Sequence, residues 1–170
     1  MSIHSDHPFL PPRDLRDPVR RLRGLMPSPV TIWTSADGTI RDGWTISSVL
    51  VADGEPAEMV ALVDEDSDWW DLFRKTELAT VNVLRQGQGW LSDVFARMAP
   101  SPGGPFRTGE WSDDARGPRL VHAAAWAGVR LVDAAPGHAG WGLLVRAVIE
   151  SLELPESEME ALEHRRGRYL

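Results

Sequence analysis

The sequence predicts a mainly β domain with short helices, in which six strands form an antiparallel barrel or sandwich. Three observations favour this fold class. The chain has 170 residues, the size of one ordinary domain that buries its own core. Six runs rich in β-branched and apolar residues are spread along it. The helical patterns between these runs are too few to join every strand pair through a crossover helix, as a parallel sheet requires.

The N-terminal residues predict a tail and then a helix. Residues 1–12 are polar and end in prolines, so we expect them to form a flexible tail, with the domain occupying residues 13–170. Apolar residues then recur at helical spacing between Leu15 and Met26, among arginines and aspartates. This pattern predicts a short amphipathic helix that packs on another part of the molecule.

The first three strands are predicted before residue 64. Residues 29–34 are β-branched and apolar, residues 36–39 have turn chemistry, and residues 44–52 form a second β-rich run. Together they predict a hairpin. Residues 58–63 predict the third strand.

A helix and a fourth strand follow. Ser67 precedes an amphipathic stretch from Asp68 to Lys75, and a serine at this position caps a helix by accepting a hydrogen bond from a first-turn N–H group. Acidic residues near the start also stabilise the helix dipole. Residues 78–84 are β-rich and predict the fourth strand.

The second half of the chain predicts one more helix and two long strands. A second amphipathic helix is expected over residues 88–98. Proline, glycine and charged residues then predict a long surface loop over residues 99–118. Two further β-rich runs cover residues 120–132 and 141–154, and turn-forming residues 134–140 separate them.

Composition excludes several classes of function. The chain has no cysteine, which excludes disulfides, thiolate metal sites and a cysteine nucleophile. A net charge of −7 argues against a nucleic-acid partner. No secretory signal or membrane-length apolar run is present, so we expect no membrane partner and a cytoplasmic protein.

We also expect no metal site. No two histidines stand at a ligating spacing with other ligands. The acidic residues after position 63 copy the opening of a calcium loop, but Trp69 stands where that loop needs glycine and Lys75 where it needs glutamate.

Short motifs along the chain occur in a characteristic order. They are Pro29-Val30 before a β-branched strand, Asp37-Gly38 in a turn, Gly43-Trp44-Thr45-Ile46-Ser47-Ser48, Ala79-Thr80-Val81-Asn82-Val83-Leu84, Ala125-Trp126, and Arg166-Gly167-Arg168-Tyr169. Because these motifs come in this order and at about these spacings, the chain resembles the flavin reductase-like family, which has the FMN-binding split-barrel fold. The resemblance covers the chain from about Leu15 to the C-terminus.

The resemblance implies a six-stranded Greek-key split barrel that forms a homodimer. It also implies FMN as cofactor, with FAD or a deazaflavin as alternatives, and NAD(P)H as co-substrate. The implied activity is that of an NAD(P)H-dependent flavin reductase, in which hydride passes from the nicotinamide to the flavin. Reduced flavin would then serve a partner monooxygenase. Because the cofactor carries the chemistry, no catalytic side chain is expected.

The segment around Gly43 is the first candidate site. A glycine lets a flat ring approach the backbone closely, main-chain N–H and C=O groups can pair with the polar edge of a flavin, and serine hydroxyls suit ribityl or phosphate oxygens. The alternative is an ordinary strand with alternating faces. The predicted flavin contacts are Gly43, Trp44, Thr45, Ile46, Ser47 and Ser48.

The loop after the third strand departs from the family. The family places a basic residue and a serine or threonine there for the flavin phosphate, whereas residues 64–68 are Asp-Glu-Asp-Ser-Asp. A carboxylate about 4 Å from a phosphate charge costs about 1 kcal/mol in bulk water and more in a drier groove. The N–H groups at the helix start could still hold an anion, or the loop could select a deazaflavin. The predicted contacts are Asp64, Ser67, Asp68 and Trp69.

Two segments are candidates for binding the nicotinamide. The family carries Gly-Asp-His before its last long strand, but here Trp141 holds the histidine position and His138 is the nearest histidine. His138 could equally be an exposed loop residue. The resemblance also implies that Arg166, Arg168 and Tyr169 lie beside the flavin, since arginines bind phosphates through paired donors and an aromatic ring orders a nucleotide. The alternative is a basic tail that offsets an acidic chain.

Two other functions stay open from the sequence. The chain could use tightly bound FMN or a deazaflavin to reduce another small molecule. It could also be a non-catalytic flavin-binding protein, which the acidic loop and Trp141 favour.

Overall fold

A computed structural model describes residues 17–155 and 159–170. The predicted tail and Leu15 lie outside these residues. The three helices are α1 (Pro18–Leu25), α2 (Asp68–Thr76) and α3 (Gly89–Phe95). The strands are β1 (Ser28–Pro29), β2 (Thr31–Asp37), β3 (Ile40–Ile46), β4 (Val49–Ala52), β5 (Glu58–Val63), β6 (Leu78–Val83), β7 (Trp111–Ser112), β8 (Arg119–Leu120), β9 (Ala125–Leu131), β10 (His138–Ala139), β11 (Gly142–Glu153), β12 (Glu163–Arg165) and β13 (Arg168–Tyr169).

One curled antiparallel sheet forms the body of the protein. Its strand order is β3-β2-β6-β9-β11-β5-β4, and β10 pairs with β11. Consecutive strands β3 and β4 stand at opposite ends of this order, although only Ser47 and Ser48 connect them. The sheet therefore curls until its two ends meet at these serines. We call this junction the seam.

The predicted mainly β, antiparallel class is confirmed, whereas the strand count differs. The predicted hairpin of β2 and β3 forms, with Asp37 opposite Ile40. The single strand expected over residues 44–52 is two strands, because the chain passes from one end of the sheet to the other at the seam. The strand expected over residues 120–132 is also divided, and His122 lies in a turn between β8 and β9.

The core consists of two clusters on opposite faces of β2. Trp33 belongs to the first cluster, where α2 contributes Trp69 and Phe73, whose stacked rings have centroids 5.0 Å apart. Ile32 belongs to the second cluster, with Phe95 of α3. Side chains alternate along a strand, so β2 is buried on both faces and is fixed between the two helices.

The helices α2 and α3 form close to their predicted positions. Ser67 caps α2 as expected, since its hydroxyl oxygen accepts a hydrogen bond from the backbone N–H of Trp70 at 3.3 Å. The loop over residues 99–118 is more structured than predicted. It contains a short 3-10 helix, Pro105–Arg107, and the rings of Phe106 and Trp111 lie 5.2 and 5.1 Å from that of Phe95.

The expected packing of α1 is not observed. Val19 and Leu22 are 71% and 61% exposed, and no residue of this helix is buried. A backbone hydrogen bond joins this helix to the C-terminal hairpin, since the N–H of Arg166 donates to the carbonyl of Gly24 at 3.0 Å. Its apolar face is thus exposed in the single chain. Over the described residues, no helix is long and apolar enough to cross a membrane.

Candidate functional site

The seam combines open hydrogen-bonding groups with a half-buried aromatic ring. Ser47 and Ser48 are half-buried, and the Ser48 carbonyl accepts from the N–H of Leu62 at 2.9 Å. Among the described residues, neither serine hydroxyl has a hydrogen-bond partner. Two compact hydroxyls are therefore available to a ligand at the junction of β3 and β4.

The side chains of β3 leave the seam in two directions. Ile46 is buried in the first cluster, and half-buried Trp44 packs against the same cluster. Thr45 is directed towards α3, because its hydroxyl donates to the carbonyl of Ser92 at 2.8 Å. Trp44 and Thr45 are both half-buried, whereas Ile46 is buried, so Ile46 could meet a ligand only through its backbone.

Gly43 makes room for a protein side chain. A Cβ atom at this position would lie 3.0 Å from the Phe95 ring and 3.1 Å from the Thr34 methyl group. The sequence predicts that this glycine admits the close approach of a flavin. The structure gives a different reason, because the ring that approaches is that of Phe95.

An arginine lies over the accessible tryptophan. The Arg97 guanidinium is 5.1 Å from the centre of the Trp44 ring, and its Nη2 lies 2.8 Å from Oδ1 of Asp42. The same carboxylate oxygen accepts from the N–H of Gly43 at 2.7 Å. Asp42 thus fixes the arginine that shields one side of Trp44.

The acidic loop at residues 64–68 uses most of its polar groups internally. Oδ1 of Asp64 accepts from the N–H of Asp66 at 3.0 Å. The Ser67 hydroxyl donates to the Asp64 carbonyl at 2.8 Å while it caps α2. Trp69 is fully buried in the first cluster. The Ser67 hydroxyl and the Trp69 side chain are therefore engaged within the protein, and the predicted contact with an anion depends on the backbone N–H groups at the start of α2.

The acidic loop also meets one of the two predicted nicotinamide segments. Nε2 of His138 lies 3.1 Å from a carboxylate oxygen of Glu65, and both side chains are about half exposed. Trp141 is fully exposed beyond this contact. His138 and Trp141 thus lie with the acidic loop at one end of the sheet.

The other predicted nicotinamide segment is fixed on α3. The ring of Tyr169 packs against Gly89, where a Cβ atom would meet the ring at 2.5 Å. Its phenol donates to Oδ1 of Asp93 at 2.5 Å, and its oxygen lies 3.0 Å from the Ser92 hydroxyl. Burial, and then the Asp93 hydrogen bond, raises the pKa of Tyr169 to about 12. Tyr169 therefore anchors the C-terminal hairpin.

The arginines of this hairpin have exposed side chains. Arg166 has a φ of 52° and Gly167 a φ of 74°, so these two residues form the turn between β12 and β13. Arg166 and Arg168 are both exposed. Within residues 17–155 and 159–170, no hydrogen bond or ion pair joins them to His138 or Trp141. The hairpin pairs with β1 in a different sheet from that of β10 and β11, so the two nicotinamide segments lie in separate parts of one chain.

The donor set at the seam fits part of a flavin. Free hydroxyls beside an aromatic ring suit the polar rim and the ribityl chain of a planar cofactor. The acidic loop does not fit its phosphate, because Asp68 remains exposed while the only hydroxyl there is already used. The seam therefore suits the ring end of a flavin, whereas the flavin phosphate would bind at another surface.

Three residues that link these parts were not predicted from the sequence. They are Ser92, Asp93 and Arg97. Gly89 and Asp93, which both contact Tyr169, are four residues apart in a predicted helix and so share one face of it. That spacing could have identified the face, but not the segment that packs on it.

Comparisons with known proteins agree with the motif order. A sequence model described as the flavin reductase like domain matches residues 22–170. A protein of Streptomyces viridifaciens named NADPH-flavin oxidoreductase is 30% identical over 138 residues, which are 78% of this chain and 71% of the relative.

Solved structures share the fold. The NADH:FAD oxidoreductase SgcE6 of Streptomyces globisporus C-1027 superposes with a TM-score of 0.79 at 22% identity, covering 94% of this chain and 98% of that chain. BorF, the flavin reductase component of a bacterial two-component tryptophan halogenase, gives a TM-score of 0.75 at 22% identity, covering 89% and 96%.

Proposed function

The chain belongs to the flavin reductase-like domain family, and from that premise we propose that it transfers hydride from NAD(P)H to FMN bound at the seam. It is an oxidoreductase of the flavin reductase type. The observation that supports the location is the pair of free hydroxyls of Ser47 and Ser48 beside half-buried Trp44.

The protein positions the flavin and excludes water from it. When bound, the flavin supplies the hydride acceptor. Ser47 and Ser48 would hold its polar side, and Trp44, fixed by Arg97 and the first cluster, would offer an apolar wall. The hydrogen bond from Thr45 to Ser92 keeps β3 at a constant distance from α3. None of these residues needs to exchange a proton for hydride to move.

FMN is our choice of flavin, and its phosphate would lie away from residues 64–68. The carboxylates there repel an anion, and the α2 cap uses the Ser67 hydroxyl. A neighbour in structure is named as acting on FAD, so FAD and a deazaflavin are the competing cofactors. Comparing FMN, FAD and a deazaflavin as acceptors separates these possibilities.

We further propose that the protein works as a homodimer. Leu62 and Leu144 are paired across β5 and β11, and both are about two-fifths exposed on the outer face of the sheet. Leu50 of the adjoining β4 is exposed as well. Exposed leucines grouped on one face of a sheet are typical of an interface. A second copy could also bring Trp141 towards the arginines that one chain keeps apart from it.

Reduced flavin would be delivered to a second enzyme. BorF, which shares the fold, is named as the reductase component of a two-component halogenase. We propose an equivalent division of labour here, with an oxygenase as the partner.

The decisive experiment is a turnover assay on the purified full chain. NADH or NADPH is mixed with FMN, FAD or riboflavin, and nicotinamide absorbance is followed, with anaerobic bleaching of the flavin as a second readout. We expect nicotinamide oxidation that depends on added or bound flavin. If flavin binds but no nicotinamide is consumed, the protein is a non-catalytic flavin-binding protein. If no flavin binds, the seam is not a cofactor site.

A further inference from the structure

The arginines of this protein are divided into paired and unpaired groups. Most of those in the sheet and its loops have a carboxylate partner: Arg41, Arg74, Arg97, Arg116, Arg119, Arg130 and Arg146. Over the described residues, six exposed arginines of α1 and the C-terminal hairpin have no such partner: Arg20, Arg21, Arg23, Arg165, Arg166 and Arg168. We call these six residues the arginine corner.

The fold itself holds the two halves of the corner together. The N–H of Arg166 donates to the carbonyl of Gly24 in α1 at 3.0 Å. The strands β1 and β12 are also paired, with Ser28 opposite His164, and Arg165 stands opposite Arg168 in the hairpin. Like charges directly opposite each other on antiparallel strands are destabilising. A group of arginines without carboxylate partners, in a chain whose net charge is −7, therefore indicates a binding site for an anionic ligand.

Over the described residues, no carboxylate forms an ion pair with the arginine corner. Asp17 uses its carboxylate to accept the N–H of Val19 at 2.9 Å, and Glu163 is exposed on β12. Burial lowers the pKa of His164, and the nearby Arg23 charge lowers it further. The imidazole is therefore disfavoured as an additional cation, and the arginines carry the positive charge.

The corner is connected to the seam through one residue of α3. The Ser92 carbonyl accepts from Thr45 of β3, and the Ser92 hydroxyl lies 3.0 Å from the phenol oxygen of Tyr169. The last strand of the corner and the proposed flavin strand are thus held on the same helix. The acidic loop, by contrast, places its carboxylates at the end of β5.

We propose that the arginine corner binds the 2′-phosphate of NADPH and so makes NADPH the preferred hydride donor over NADH. This inference rests on the proposed reductase function. A guanidinium offers paired N–H donors to phosphate oxygens and stays charged at all working pH values. The 2′-phosphate is the group that distinguishes NADPH from NADH, so its binding sets the preference between them.

The first test compares the two donors in charge-removing variants. In α1, the double variant R21Q/R23Q changes residues that are exposed and outside the proposed seam. In the hairpin, R166N removes the charge while asparagine tolerates the positive φ of this turn position. R107Q, which removes another exposed arginine without a described carboxylate partner, is the matched control.

We expect the ratio of kcat/KM for NADPH to that for NADH to fall about tenfold or more in R21Q/R23Q and in R166N, since hydrogen bonds to charged groups contribute at this level. The ratio should stay constant in R107Q. An unchanged ratio in both corner variants overturns the inference while leaving the reductase function intact.

The second test needs no turnover. Calorimetry on the full chain compares 2′,5′-ADP with 5′-AMP, which lacks the 2′-phosphate. We expect tighter binding of 2′,5′-ADP and loss of that advantage in R21Q/R23Q. Equal binding of the two nucleotides overturns the inference. Binding of 2′,5′-ADP without any hydride transfer would keep the phosphate site and reject the reductase function.

A flavin control identifies which phosphate is bound. KM is measured for FMN and for riboflavin, which has no phosphate. If R21Q/R23Q raises KM for FMN but not for riboflavin, and leaves the NADPH to NADH ratio unchanged, the corner holds the flavin phosphate and the inference is overturned.

Discussion

Tyr169 and Asp93 are joined by a hydrogen bond of 2.5 Å between the phenol and a carboxylate oxygen. Asp93 is 4% exposed, so this contact fixes the C-terminus of the chain to the interior of the protein. The segment that we expected only to receive the nicotinamide is therefore also structural. Its arginines owe their position to the tyrosine beside them.

Replacing Tyr169 by phenylalanine should destabilise the fold. The ring would still pack on Gly89, but the hydrogen bond to buried Asp93 would be lost. Hydrogen bonds to charged groups contribute about 1.5–3 kcal/mol, and we expect a loss of this order in the free energy of unfolding, measured in urea. R107Q serves as the control for a surface change. A variant as stable as the wild type would show that the contact contributes nothing to stability.

The same tyrosine should titrate at unusually high pH. Tyr169 is the only tyrosine in the chain, so tyrosinate absorbance reports one site. The pKa of Tyr169 is raised to about 12 in the folded protein, from 10.0 for the free side chain. The neutral phenol is thus favoured by folding, and its contribution to stability is full below pH 10 and lost as pH rises towards 12.

The measurement is a spectroscopic titration of the native chain and of the chain in urea. We expect the native midpoint to lie above the unfolded one. Coincident midpoints would mean that the phenol is not held by Asp93 in solution. Y169F should remove the absorbance change altogether.

Gly43 should be required for packing more than for cofactor binding. An alanine there would meet the Phe95 ring at 3.0 Å, and overpacking of this kind typically costs about 1–3 kcal/mol. We expect G43A to lower the melting temperature. G137A is the matched control, because a Cβ atom at Gly137 meets nothing within 4 Å. If G43A kept full stability but raised KM for flavin, the close approach would belong to the cofactor after all.

The parts of the fold that follow from local chemistry were predictable from the sequence. The cap at Ser67 and the hairpin around Gly38 depend on residues a few positions apart. The division of residues 44–52 at the seam was not predictable, since a β-rich run shows nothing of which strand each half will join. The contact between Thr45 and Ser92 joins residues 47 positions apart. Such contacts depend on how the helices pack on the curled sheet, which no periodicity encodes.

The two serines at the seam should be needed for flavin affinity. Removing each hydroxyl deletes a hydrogen bond worth about 0.5–1.5 kcal/mol, so S47A and S48A should each raise the Kd for FMN about twofold to tenfold. Neither hydroxyl has a protein partner in the described part of the chain, and the melting temperature should therefore change little. S112A, at an exposed serine of β7, is the control. Unchanged flavin affinity in the double variant S47A/S48A would remove the cofactor from the seam.

The apolar outer face of the sheet should determine the oligomeric state. Leu144 lies opposite Leu62 in the register of β11 and β5, and its side chain is 42% exposed in the single chain. A lysine there would bring an unpaired charge into a buried apolar interface, which is strongly unfavourable. We expect L144K to convert a dimer into a monomer in sedimentation velocity experiments. The control is L152K, at an exposed leucine nearer the far end of β11. A wild-type chain that sediments as a monomer would reject the proposed dimer, and an L144K dimer would place its interface on another face.

Because the two nicotinamide segments do not meet within one chain, loss of the dimer should also raise KM for the nicotinamide while the protomer stays folded.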